Sequence, residues 1–255
     1  MKDFLQLNEH HILITGAGSG IGRQTAVSLS EYGARLSLID LNEDGLNKTL
    51  EMLSGSGHKA YQMDLSEIEI IEGRIKDIVA EQGPFDGYVQ CAGITMTLPL
   101  NTIKYEKLDF LMKVNFYSFF ELIRVLSRKG RYNAGMSIVG ISSTAAECAV
   151  PAQASYSASK AAMNGVMRSA ARELAQKGIR INTILPGPTK TEMYLSYLET
   201  KADTKGDIQE NKHQLNYLGD NEPEDVANAI MFLLSKASRQ VTGVAFPVDA
   251  GYTSC

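Results

Sequence analysis

HILITGAGSGIGRQ (residues 11–24) joins an apolar run, a cluster of glycines and the opening of a helical pattern without a break. HILIT (11–15) has the length and composition of a buried strand, and RQTAVSLSEYG (23–33) repeats apolar residues at helical spacing. Between them, Gly16, Gly20 and Gly22 allow a tight turn that brings backbone N–H groups close to a diphosphate. The start of the following helix adds partial positive charge. The spacing departs from the common G-x-G-x-x-G fingerprint, because Ile21 stands where that pattern has its last glycine. What points to a nucleotide is the place of the turn, after a strand and before a helix.

The alternation continues outward. ARLSLID (34–40), HKAYQMD (58–64), FDGYVQC (85–91), MSIVGIS (136–142), IRINTIL (179–185) and VAFPVD (244–249) read as further short strands. EIEIIEGRIKDIVAEQG (67–83) and YEKLDFLMKVNFYSFFELIRVL (105–126) read as helices. Strands alternating with helices predict an α/β chain with a doubly wound parallel sheet of about seven strands, helices on both faces. No linker, repeat or low-complexity run divides residues 1–255, so one domain is expected. One irregular, polar stretch from Pro186 to about Asn221 reads as a flap, at about 187–221. Its Met193, Tyr194, Tyr197 and Tyr217 either line a substrate pocket or are surface aromatics.

Composition narrows the function classes. Of 255 residues 44% are hydrophobic and 21% charged, which suits a globular chain with a substantial core. A formal net charge of −4 provides no basic field, so a nucleic-acid partner is not expected. Three cysteines (Cys91, Cys148 and Cys255) show no metal-ligand spacing and suit a reducing cytoplasm. The N-terminal MKDFLQLNEHH lacks a signal-peptide core, and no apolar run approaches membrane-span length; neither a membrane nor export is expected.

Asp40 ends the second strand, 18 residues beyond Gly22. A carboxylate there accepts hydrogen bonds from ribose hydroxyls, the alternative being an N-cap for the helix over 42–53. Asp64 ends the third strand, where meeting the adenine edge and capping stand open as equals. In SYSASKAAMNGV (155–166), Tyr156 and Lys160 lie four residues apart, on one helix face at roughly 6 Å. An ammonium roughly 4 Å from a phenolate, at an effective dielectric near 20, is worth about 4 kcal/mol. That would draw a tyrosine pKa of about 10 down by up to about three, toward the range of a general acid–base group. The sequence reading therefore expects Lys160 as the charge that tunes Tyr156 downward, with desolvation of the phenolate opposing it.

With Gly16-x3-Gly20-Ile21-Gly22 and, about 140 residues later, Tyr156-x3-Lys160, the chain resembles the short-chain dehydrogenase/reductase family over nearly its whole length. Ser143 in GISSTAA and Asn115 in KVNF match that family's serine and helix asparagine, and RINTILPGPTKTEM (180–193) its Pro-Gly turn. EPEDVANAIMFLLS and VTGVAFPVDAGY resemble its closing helix and strand. The resemblance implies a single-domain Rossmann fold and hydride transfer between a nicotinamide cofactor and a ketone or secondary alcohol. It implies that Tyr156 is the proton donor, Ser143 the substrate-oxygen ligand and Lys160 the ribose ligand. It implies further that Asn115 holds a water linking Lys160 to solvent, its alternative being a helix-kinking residue satisfied within the fold. The implied cofactor contacts are Gly16, Ser19, Gly20, Ile21, Gly22, Asp40, Asp64, Leu65, Ala92, Gly93, Tyr156, Lys160, Pro186, Gly187, Thr189 and Thr191. Thr189 and Thr191 would grip the nicotinamide carboxamide, or else cap the helix that follows.

One departure is plain: the family's Asn-Asn-Ala-Gly is Gln90-Cys91-Ala92-Gly93, which removes the usual side-chain braces of that strand end. Cys91 reads as a small buried residue rather than a reactive thiol. Asp40 favours NAD over NADP, although Arg23 offers a guanidinium that could meet a 2′-phosphate. Phe110, Phe116, Phe119 and Phe120 exceed what one buried helix face needs, and the resemblance places homodimer or homotetramer faces on helices near 105–126 and 155–177. The alternatives are a 3-oxoacyl-thioester (acyl-carrier-protein) reductase, with Arg128, Lys129 and Arg131 as a docking patch, and a non-catalytic dinucleotide-binding sensor.

Overall fold

A computed structural model describes residues 4–202 and 216–254. Seven strands form one parallel sheet: β1 (His11–Thr15), β2 (Arg35–Asp40), β3 (Lys59–Gln62), β4 (Phe85–Gln90), β5 (Tyr132–Ile141), β6 (Arg180–Pro186) and β7 (Ala245–Val248). Their order is β3-β2-β1-β4-β5-β6-β7. The helices between them are α1 (Gly20–Glu31), α2 (Glu43–Met52), α3 (Ile68–Gln82), α4 (Tyr105–Met112), α5 (Ser118–Leu126), α6 (Ala154–Leu174), α7 (Glu192–Ala202) and α8 (Pro223–Leu234).

Alternation along each strand divides the core into two layers. Ile12, Ile14, Leu36, Leu38, Val139 and Ile184 pack with Ala26 and Leu29 of α1 and Val226 and Ile230 of α8. Leu13, Ile39, Tyr88 and Ile138 point the other way, onto Ile71 and Ile75 of α3, Leu122 of α5 and Met163 and Met167 of α6. Residues buried on both faces are what a covered parallel sheet requires. The strand order reverses between β1 and β4, where Thr15 pairs with Gln90. The crevice outside the carboxyl ends of strands at such a reversal is where ligands bind in open α/β sheets.

Three details differ from the sequence reading. The span 105–126 is not one helix, because a π-turn over Lys113–Tyr117 separates α4 from α5. That turn carries the buried Asn115, whose side-chain bonds hold the wider turn in place. The flap is not irregular throughout: its first part is α7, and Thr189 bridges Asn221. Strand β5 begins four residues early, at Tyr132, through a half-exposed segment with no apolar alternation to read and with Gly135 at φ 86. Phe119 is fully buried beneath Gly140, so only Phe110 and Phe120, about half exposed, and the edge of Phe116 are left outside the core.

Candidate active site

The glycine turn is fixed by contacts that admit no side chain. Gly16 has φ 66, and a Cβ on it would lie 2.5 Å from the backbone N of Ala92. Gly20, at φ 49, opens α1 beneath Thr191. Ser19 is the N-cap of α1 but makes no side-chain cap bond, and the first turn of the helix contains no acidic residue. Its first N–H groups are thus left to accept an outside anion. Ile21 packs partly into the core behind the turn. This cradle fits the diphosphate of a dinucleotide.

Asp40 stands at the end of β2 with its carboxylate oriented by two backbone donors, Gly18 N at 2.8 Å and Asn42 N at 2.9 Å. It is not the helix cap: Asn42 is, accepting from Gly45 N at 3.0 Å. Each Asp40 oxygen retains lone-pair capacity for ribose hydroxyls. Arg23 is turned elsewhere, onto the Gly18 carbonyl, Thr49 Oγ1 at 3.2 Å and the Glu192 carboxylate at 3.7 Å. Asp64 accepts from Ser66 N at 2.8 Å in a local turn, and Leu65 beside it is buried.

The missing asparagine braces are replaced. Gln90 is wholly buried and bonds in four directions. Its Oε1 accepts from Thr15 Oγ1 at 3.0 Å and from the Tyr88 hydroxyl; its Nε2 donates to Ala92 O and Ser118 Oγ, both at 3.2 Å. One longer amide thus ties β4 to β1, to the π-turn region and to the Ala92-Gly93 turn. Burial pushes the Cys91 thiol up to about 12, which makes it inert as a nucleophile near neutrality.

Around Tyr156 four elements converge. Lys160, one helical turn on, is 4% exposed, with Nζ 5.7 Å from the Tyr156 ring centroid and donating to Ile141 O at 2.7 Å. Asn115 is wholly buried; its Oδ1 accepts from Ile94 N at 2.8 Å and its Nδ2 donates to Ile94 O and Ser159 Oγ. Ser159 in turn donates to Tyr156 O at 2.8 Å, so the asparagine anchors the turn of α6 that presents the phenol. Its amide is satisfied within the fold, the alternative to a water-holding role. A Cβ on Gly93 would meet both Asn115 Oδ1 and Lys160 Nζ at 3.3 Å, which places Gly93 directly over the pair. Ser143 Oγ accepts from Ala145 N at 3.1 Å, and its own hydroxyl hydrogen is turned to Tyr156.

The electrostatics correct one expectation. Burial raises the pKa of Tyr156, with the hydrogen bond of Ser143 working against it, and Lys160 does not bring it down. The Lys160 ammonium lies 5.7 Å from the ring centroid and donates to Ile141 O. Burial lowers Lys160 itself to about 8. Tyr156 is therefore a protonated donor, and Lys160 is the group of the pair nearer to titrating at neutrality.

On the flap side, Pro186 and Gly187 end β6, with Gly187 N donating to Val248 O at 2.9 Å. Thr189 is buried and donates to Gly187 O at 2.9 Å. Thr191 Oγ1 accepts from Tyr194 N at 3.3 Å, a capping bond for α7, while its methyl faces Gly20. Met193 and Tyr217 are largely exposed, Tyr194 donates to Asp220 at 3.1 Å, and the Tyr197 side chain lies outside the described residues. A cleft of about 410 Å³ formed by the segments that follow Ser143 and flank Tyr156, neither of which lines it, is bounded by Leu100, Ala145, Glu147, Cys148, Val150 and Ser157. Sequence reasoning missed the 144–153 segment, whose small residues carry no periodic signal. Among the described residues no acidic, His or Cys group is placed to hold a metal ion, and no helix is long and apolar enough to cross a membrane.

Comparison with known proteins agrees with this geometry. A family model described as enoyl-(acyl carrier protein) reductase matches residues 16–253. A (3R)-3-hydroxyacyl-CoA dehydrogenase of Canis lupus familiaris is 34% identical, covering 98% of this chain and 99% of its own. A 3-oxoacyl-[acyl-carrier-protein] reductase of Thermotoga maritima is 31% identical, covering 94% and 96%. Among solved structures, a 4-hydroxyisoleucine dehydrogenase complexed with NADH superposes with a TM-score of 0.87 at 28% identity, covering 97% of this chain and all of the other. A short-chain dehydrogenase from Mycobacterium paratuberculosis bound to NAD gives 0.86 at 29% identity, covering 98% and 100%. The chain belongs to the short-chain dehydrogenase/reductase family and is an oxidoreductase that moves a hydride between a nicotinamide cofactor and a ketone or secondary alcohol.

Proposed function

We propose that this oxidoreductase uses NAD(H) in preference to NADP(H), with Tyr156 as general acid–base, Ser143 as ligand to the substrate oxygen and Lys160 and Asn115 as its supports. The observation that supports the reading is the meeting of the buried Tyr156 phenol with the Ser143 hydroxyl, beside the Lys160 ammonium. When bound, the nicotinamide supplies or accepts the hydride. Gly16, Ser19, Gly20, Ile21 and Gly22 would hold its diphosphate, Asp40 its adenosine ribose, and Ala92, Gly93, Lys160, Pro186, Gly187, Thr189 and Thr191 the nicotinamide half. Asp64 and Leu65 border the adenine end.

In the reductive direction Tyr156 Oη passes its proton to the substrate oxygen, and Ser143 Oγ–H donates to that oxygen and offsets the charge developing on it. Lys160, its ammonium held by Ile141 O, serves as the ribose ligand. Oxidation runs the same proton backward. Asn115 keeps Tyr156 in place through Ser159.

Asp40 supports the NAD preference. Its carboxylate is already oriented by Gly18 and Asn42, and a 2′-phosphate would meet like charge there. Arg23, a guanidinium beside the glycine turn that could have met such a phosphate, is committed to Gly18, Thr49 and Glu192. The thioester-reductase reading is not favoured by the basic stretch near 128, because Arg128 and Arg131, together with Arg124, converge on Glu72. The test is turnover of a panel of ketones and β-keto thioesters, following nicotinamide absorbance. Turnover of a panel member with oxidation of NADH fits the proposal; NADH binding without turnover of any member would favour the sensor reading.

A further inference from the structure

Arg23 and Glu192 lie outside the groups used above, yet together they border the glycine turn. Arg23 reaches three separate pieces of chain. Its Nη2 donates to Gly18 O, its Nε donates to Thr49 Oγ1, and its Nη1 lies 3.7 Å from Glu192 Oε1. Thr49 hands the contact back to the turn by donating to Ala17 O at 2.8 Å. The N–H of Gly18 is meanwhile held by Asp40. The Gly18 peptide is thus gripped on both sides, by Asp40 on its donor and by Arg23 on its acceptor.

Glu192 brings a problem that Arg23 solves. It opens α7 directly after Thr191, and its second oxygen, Oε2, lies 3.6 Å from the point a Cβ on Gly20 would occupy. That is the start of α1, where N–H groups left uncapped by Ser19 would receive an anion. A lone carboxylate at this point would repel a diphosphate; paired with a guanidinium, it is neutralised.

Resting on the nucleotide reading above, we propose that Arg23 and Glu192 are a positioning pair for the cofactor. In it Arg23 cancels the charge that the root of the flap brings to the diphosphate turn, and Glu192 keeps Arg23 from acting as a free cation there.

The test is a double-mutant cycle read by NADH fluorescence titration of the purified protein at low and high salt. Glu192→Gln, on a side chain 64% exposed, leaves the fold intact and should tighten NADH about threefold at low salt, the gain fading at high salt. Arg23→Gln should weaken NADH about tenfold, and the double variant should regain at least about threefold of that loss. A Glu192→Gln protein that binds NADH no tighter than the parent would overturn the proposal. So would a double variant no better than Arg23→Gln, which would leave Arg23 as a brace alone. A parent protein that fails to bind NADH would instead sink the nucleotide reading, so the two failures are told apart.

Discussion

Replacing Gln90 with Met tests how this chain dispenses with the family's asparagines. Methionine nearly preserves the side-chain volume, so cavity and overpacking costs are small. It removes the acceptor for two hydroxyl hydrogens, from Thr15 and Tyr88, both fully buried. A buried polar group stripped of its partner costs about 1–3 kcal/mol, so two give about 2–6 kcal/mol. The Ala92 carbonyl and Ser118 hydroxyl add little, since Ala92 is half-exposed and Ser118 still donates to Val114 O at 2.6 Å. A loss in the middle of that range lowers Tm by about 10 °C for a chain of this size. Urea unfolding followed by circular dichroism reads it, with an unchanged m-value as the check that only stability moved. Adding Tyr88→Phe to the Met variant removes one orphaned hydroxyl and should recover part of the loss, whereas Tyr88→Phe alone should destabilise. A Gln90→Met protein within about 0.5 kcal/mol of the parent would show that the four-way network does not brace the sheet.

Asp40→Ala should narrow the preference for NADH over NADPH by about a hundredfold in kcat/KM, and a parent that prefers NADPH would reverse the assignment. His11 is buried between Pro84 O and Ser37 Oγ against the Phe85 ring, and burial first, then Arg35, lowers its pKa to about 4 from 6.5. The unfolded chain therefore takes up a proton that the native state refuses, and stability falls as pH drops from about 6.5 to about 4, by about 3 kcal/mol. In His11→Asn that part of the slope should vanish from the urea-midpoint profile; an identical slope in both proteins would contradict it. Phe110 and Phe120, about half exposed on α4 and α5, should sit at a subunit contact; light scattering is expected to give a dimer or tetramer that Phe120→Arg makes smaller, and a monomeric parent would refute this.

The sheet was legible because its evidence is local and redundant. HILIT, ARLSLID and IRINTIL are short runs rich in Ile and Leu set between longer helical stretches, the alternation that belongs to parallel strands. The glycine turn and the Tyr156–Lys160 pair were legible because backbone closeness and helical spacing follow from residue type alone. The direction of the Tyr156 pKa was not, since it depends on how deeply the fold buries the phenol, which no residue spacing reveals. Gln90 could be seen as a departure but not as a repair, because its partners come from positions 15, 88, 92 and 118. The π-turn at Lys113–Tyr117 left no mark on the apolar periodicity, and α7 lay within a stretch whose polar residues and tyrosines gave no clear helical period.

The central claim is that Tyr156 moves the proton while others hold the cofactor, and Tyr156→Phe tests it by deleting one hydroxyl from a ring that otherwise stays in place. NADH affinity and Tm should stay close to those of the parent, while kcat/KM on any accepted ketone should fall by about a hundred- to ten-thousandfold. Residual turnover within about tenfold of the parent, with the cofactor still bound, would remove Tyr156 from the chemistry.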